Sequence, residues 1–108
     1  MQSFKEILTT LSPIDDIASL TLIDEEGNSV TLKNKPGTSG SVAVYFEVSK
    51  DNGEIDSSAA EAALRLYAEH TLDARRNPGR HPNIDRLLAL IKDDASIRVV
   101  ANHSDSMP

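Results

Sequence analysis

Residues 56–91 read DSSAAEAALRLYAEHTLDARRNPGRHPNIDRLLALI, and the reading of this stretch decides the fold. At about 100° per residue its first half sorts into two faces. Ala60, Ala63, Leu64, Tyr67, Thr71 and Ala74 share one, while Glu61, Arg65, Glu69, Asp73 and Arg76 share the other. Leu66 and Ala68 widen the apolar stripe beyond a coiled-coil seam, which favours packing on a sheet over pairing with one helix. Asp56 or Ser57 supplies a cap, and Ser58 with Glu61 has capping-box spacing. One long helix is therefore predicted, ending at Asn77-Pro78-Gly79, because proline disfavours helical geometry before it and donates no amide. A second helix restarts at Pro82 or Asn83, a first-turn proline or a capping asparagine. Ile84, Leu87, Leu88 and Ile91 mark its i, i+3, i+4, i+7 face with Leu90 beside them, and Asp93-Asp94 oppose the dipole beyond Lys92.

Working outward, the segment before this pair reads as the sheet it covers. Ser3 and Glu6 form a second capping box over a short N-terminal helix with Phe4, Ile7, Leu8 and Leu11 on its apolar side, stopped by Ser12-Pro13. From Ser19 the period changes to two. Leu20 and Leu22 alternate with Ser19, Thr21 and Ile23, and beyond Gly27-Asn28, Val30 and Leu32 alternate with Thr31 and Lys33, which is a β-hairpin pattern. Asn34-Lys35-Pro36-Gly37 is predicted as a turn, with Pro and Gly at the central positions of a type II geometry. Val42–Val48 is predicted as a third, central strand, with Val42, Val44, Phe46 and Val48 facing one way and Ala43, Tyr45 and Glu47 the other. Ile97–Ala101 is the fourth strand, and residues 102–108 form a frayed polar tail. The predicted order is α-β-β-β-α-α-β in a single α+β domain over 1–101: a four-stranded, mainly antiparallel sheet with helices on one face. The last strand must join an edge of the meander, and the pattern leaves both edges open. Tyr45, Val100 and Ile23 on the free face would make an apolar partner or dimer surface, unless the N-terminal helix covers it.

The chain has 108 residues and net charge −6. Residues 1–56 hold ten acids against four lysines, whereas 57–108 hold seven of each sign and all six arginines. An acidic whole argues against general nucleic-acid binding, which needs clustered cations to displace counterions. The bland alternative is that the charge only keeps the protein soluble. With no cysteine there is no disulfide framework, thiolate chemistry or cysteine-based zinc site, which fits a cytoplasmic protein. No apolar run has signal-peptide length or the ~20 residues of a membrane span.

Candidate chemistry concentrates in Arg75-Arg76-Asn77-Pro78-Gly79-Arg80-His81-Pro82-Asn83. Arg76, Arg80, His81 and Asn83, placed at a helix N-terminus with unpaired amides, form a candidate site for a phosphate or carboxylate. The competing reading is a solvated helix–helix loop whose arginines cap the preceding helix. His70, His81 and His103 lack metal-ligand spacing, so no metal or other cofactor is expected. Asp15-Asp16, Glu25-Glu26 and Asp93-Asp94 are sequence neighbours, which seldom face one substrate across a cleft. Gly37-Thr38-Ser39-Gly40-Ser41 matches a phosphate loop only in composition, lacking the Walker order and preceding a predicted strand. No G-x-S-x-G elbow occurs.

The segment Asn77–Asp85, together with Phe4-Lys5-Glu6-Ile7-Leu8 and Ile17–Leu22, resembles a family of short bacterial proteins of unknown function. The resemblance spans most of the chain and implies a bacterial, cytoplasmic protein; it carries no activity, cofactor or catalytic residue. The residues themselves lead to a non-catalytic domain acting through a protein partner or self-association as a homodimer, with an acidic inhibitor or immunity-type protein as a more specific form. The alternative is a small-anion-binding or enzymatic module built on the 75–85 loop.

Overall fold

A computed structural model describes residues 2–104. The hairpin forms as its alternation predicts, with β1 (Ile17–Ile23) antiparallel to β2 (Ser29–Lys33) in the register Leu20↔Leu32 and Leu22↔Val30. Its turn closes on Asp24, whose Oδ1 accepts the amides of Glu26 and Asn28, each at 2.9 Å. Upstream, α1 (Phe4–Leu8) carries the predicted capping box between Ser3 and Glu6, but buries none of its own residues. Downstream, Gly37 sits at φ 96° and the Thr38 amide donates to the Lys35 carbonyl, so the type II turn is present.

Where a central strand was expected, the chain coils. Ser39–Ser49 is a helix, α2, and Val42, Ala43, Val44 and Tyr45 are buried in succession along it. A strand buried on both faces and a helix buried all round give the same apolar run, and β-branched residues do not separate them once tertiary packing encloses the segment. A β-strand of that composition would also have had to pair on both sides. As a helix it satisfies its own backbone and packs against all four strands and the helix that follows. A helix rather than a strand therefore takes up the Gly37–Ser41 segment from Ser39 onward, and only the missing motif order speaks against a Walker site. Gly40 serves packing instead, since a Cβ there would lie 3.1 Å from the Phe4 ring.

The sheet still has four strands, because Glu54–Ile55 supplies a short β3 that the sequence pattern did not reveal. The order is β2-β1-β4-β3, all antiparallel, with β4 (Ile97–His103) inserted between the hairpin and β3. β4 therefore joins the β1 edge, and it outruns its predicted end by two residues. Asn102 and His103 belong to the strand rather than to a tail: Asn102 Nδ2 donates to Ser19 Oγ and Thr21 Oγ1, and His103 lies 3.6 Å from Asp16. Ser104 follows with its amide on the Asp16 carbonyl at 2.7 Å, and residues 105–108 of the expected tail lie outside the described residues. Leu20, Leu22, Leu32, Ile97 and Val99 form the covered face, while Thr31, Arg98 and Val100 mark the free one. Tyr45 is not on that free face, so the patch expected there shrinks to half-buried Ile23 and exposed Val100.

The long helix is broken. α3 (Ser57–Tyr67), capped by Asp56, stops at Ala68, and α4 (Glu69–Arg76) leaves in a new direction. Ala68 has φ 52° and ψ −118°, and Thr71 Oγ1 donates to the Leu64 carbonyl across the break at 2.6 Å. All six residues of the predicted apolar face are nonetheless buried, Ala60, Ala63, Leu64 and Tyr67 from α3 and Thr71 and Ala74 from α4. α5 (Pro82–Asp93) starts with Pro82 in its first turn and His81 as the cap residue, and ends on Asp94 in the left-handed conformation. Asn83 is inside the helix rather than capping it. Ile84, Leu87 and Leu90 are buried, while Leu88 and Ile91 are only half-buried.

Candidate functional site

The arginine- and histidine-bearing loop is organised around one carboxylate. Asp73, in the last turns of α4, lies 2.6 Å from His81 Nε2 through Oδ2 and 3.6 Å from Arg80 through Oδ1, and Oδ1 also accepts from Asn77 Nδ2 at 2.9 Å. The His81 ring chiefly holds the Asp73 carboxyl below its usual range, with Arg80 and Asn77 adding to it. A carboxylate only accepts, so the contact places the imidazole proton on Nε2. Asp85 reaches back to the Gly79 amide at 2.9 Å. Asn83 is engaged through both of its oxygens. Its carbonyl accepts from Tyr45 Oη, and its Oδ1 accepts from Arg86, whose guanidinium also donates to Tyr45 Oη at 3.1 Å. Arg76 projects from the exposed side of α4. The structure thus brings Arg80 and His81 together on Asp73, and directs Asn83 inward to α2 and Arg76 outward.

Two other histidine contacts belong to packing. His70 is edge-on to Phe4 with ring centroids 5.0 Å apart, and 5.6 Å from His81, while Phe4 stacks on Tyr67 at 5.4 Å. This aromatic row ties α1 to the α3–α4 break. Burial pushes the phenols of Tyr45 and Tyr67 up from their ordinary value. Among the described residues no three His, Cys, Asp or Glu side chains converge as a metal site.

The prominent concavity lies elsewhere, between α1, α3, α4 and α5. It is a groove of about 1170 Å³. Leu64, Ala68, Leu88 and Ile91 line it, and Ile7 closes one end. This explains why Leu88 and Ile91 stay half-buried: α5 turns Leu87 and Leu90 to the core and its next row to the groove. Leu72 stands on the α4 wall at 56% exposure, the most exposed large apolar residue described. Charges ring the opening: Glu61 and Arg65 from α3, Glu69 and Arg75 from α4, and Lys92 from α5. Glu69 accepts the Phe4 amide at 2.9 Å, which fixes α1 against α4; its own backbone amide first, and then that of Phe4, hold the Glu69 carboxyl below its usual range. Arg65, Arg75 and Lys92 have no ion-pair partner among the described residues.

Neither this groove nor a smaller one beside β1 and α5 includes Arg76, Arg80, His81 or Asn83. Sequence reasoning missed the groove because a concavity is made by four helices meeting, not by spacing within one. One signal was present: Leu72 sits among His70, Asp73 and Arg75, an apolar side chain on a polar face. No helix among the described residues is long and apolar enough to cross a membrane.

Comparison with known proteins adds one finding. No curated protein and no solved structure matches the chain. A family model described as "Uncharacterized protein conserved in bacteria (DUF2322)" matches residues 4–101, and the chain belongs to that bacterial family.

Proposed function

We propose that this protein is a non-catalytic interaction domain whose docking surface is the groove between α1, α3, α4 and α5. The observation that carries the reading is the exposure of Leu72 beside half-buried Ile7, Leu88 and Ile91 along one concave, charge-rimmed surface. Contiguous apolar surface of this kind marks contact sites more often than it is left in water. An open groove walled by helices accepts a helix or another folded surface, whereas a small ligand requires enclosure on most sides. Its titratable residues are carboxylates and cations on the rim, and the hydroxyl of Thr71 is committed to the Leu64 carbonyl. The other hydroxyl there, Ser3 Oγ, belongs to the α1 capping box, donating to Glu6 Oε1 at 3.1 Å and accepting the Glu6 amide at 3.3 Å. The anion-binding alternative has weaker support, because Arg80 and His81 already share Asp73.

The test is photo-crosslinking from the full chain in bacterial cells, with benzoyl-phenylalanine in place of Leu88, and in place of Thr31 on the free sheet face as control. The expected result is a protein adduct from position 88 and none from position 31. Absence of any adduct from position 88 refutes the reading.

A further inference from the structure

The groove's rim carries both signs of charge, in an order that is its own complement. Along α4, Glu69, Leu72 and Arg75 lie three residues apart, and all three border the groove. At about 1.5 Å rise per residue, the acid and the base stand about 4.5 Å to either side of the leucine along the axis. We infer that the groove docks on a second copy of this chain, with the two α4 helices antiparallel across a two-fold axis at Leu72. That symmetry sets Glu69 of each copy opposite Arg75 of the other, and the two Leu72 side chains close the apolar surface between them.

The inference rests on reading the groove as a docking surface and names its occupant. Charge selects among occupants. The rim sets Glu61 and Glu69 beside Arg65, Arg75 and Lys92, so a partner of either single sign leaves part of the rim facing its own charge. A second copy sets Arg75 of each chain against Glu69 of the other. The acids behind the net charge lie largely on the other side of the sequence, at Asp15, Asp16, Asp24, Glu25, Glu26 and Asp51, none of them bordering the groove. Glu69 is held at the rim by the Phe4 amide, which donates to its Oε1 at 2.9 Å. Fourteen residues line the groove on each copy, against the roughly 20–30 per side of a standard stable interface. The dimer is therefore of the weak, concentration-dependent kind.

Sedimentation of the full chain across a concentration series reaching about 100 µM reads the association directly. The wild-type mass should rise from that of one 11.7 kDa chain toward twice that value. Leu72→Glu should weaken association at least about tenfold, with an unchanged circular dichroism spectrum. Glu69→Arg and Arg75→Glu should each remain monomeric alone, because each sets like charges face to face. Mixed in equal amounts, they should associate, since the mixed pair restores both oppositions. A wild-type monomer throughout, a Leu72→Glu chain that associates normally, or a mixture that stays monomeric would each overturn the inference. A monomeric chain that still crosslinks to a different protein from position 88 keeps the docking groove and removes the second copy. A monomer with no adduct removes both.

Discussion

Replacing Ala68 with glycine changes stability in opposite directions for a continuous helix and for the broken one. At φ 52° and ψ −118°, Ala68 occupies backbone space that a residue with a Cβ enters only under strain. Such positions cost about 1–3 kcal/mol. Glycine enters without that strain but is freer in the unfolded chain, an opposing term of about 0.5–1 kcal/mol. The net expectation is a gain of about 0.5–2 kcal/mol. In an unbroken helix through residue 68 the same substitution loses about 1 kcal/mol. Urea unfolding followed by far-ultraviolet circular dichroism separates the two. With a denaturant slope of about 2 kcal/mol per molar, the midpoint should rise by about 0.2–1 M. Each kcal/mol gained should add about 4 °C or more to the melting temperature. A midpoint that falls would refute the break at Ala68, and with it the redirection of α4 that puts Leu72 on the groove wall.

Tyr45→Phe leaves the Asn83 carbonyl and the Arg86 guanidinium without the hydroxyl between them, and should destabilise by about 1–3 kcal/mol by the same assay; no change would mean the α2–α5 contact is absent. Leu87→Ala, at a fully buried position, should lose about 2–5 kcal/mol. Leu72→Ala should stay within about 0.5 kcal/mol, and a large loss there would mean that Leu72 is core. At high pH, burial raises both tyrosines above the ordinary 10.0, so their neutral-form stability is complete below that value and is lost as pH rises through the folded values. These are the chain's two tyrosines, so phenolate absorbance should appear only as the protein unfolds, and titration of either in the folded state near pH 10 would contradict their burial. At low pH the sign reverses for Asp73, whose lowered value contributes stability above the unfolded 3.8 that is lost as pH falls through the folded one. Asp73→Asn should therefore differ most from wild type near about pH 6 and converge with it near about pH 2; an equal gap at both would detach Asp73 from the acid response.

Much of the fold was legible because it follows from local periodicity. The alternation about Leu20 and Leu22, the Gly27-Asn28 turn and the Ser3–Glu6 capping box each act within a few residues, where side-chain direction is set by backbone geometry. The face of Ala60, Ala63, Leu64, Tyr67, Thr71 and Ala74 survived even a break in its helix, because burial selects apolar residues whichever helix carries them. The Val42–Val48 run failed for the opposite reason. Its residues are apolar on every side, so no period distinguishes strand from helix, and β-propensity favoured the state that packing did not choose. β3 escaped notice because two residues carry no pattern.

At the candidate sites the division is similar. The sequence brought Arg76, Arg80, His81 and Asn83 together by proximity along the chain, but the acceptor for Arg80 and His81 and the donor to the Asn83 carbonyl come from outside the loop. Asp73 lies a turn upstream across the loop, and Tyr45 lies on a different helix. The groove has no sequence neighbourhood at all, since Ile7, Leu64, Leu72, Leu88 and Ile91 meet only when four helices converge.

By itself, then, the sequence determined the class of fold, the hairpin, the buried faces of the helices and the imbalance of charge, since each is a sum over nearby residues. Tertiary structure alone decided that Ser39–Ser49 coils, that β4 enters between β1 and β3, and that Leu72 faces solvent. Those outcomes depend on which surfaces remain to be covered once the other elements have packed, and that quantity belongs to no single stretch of chain.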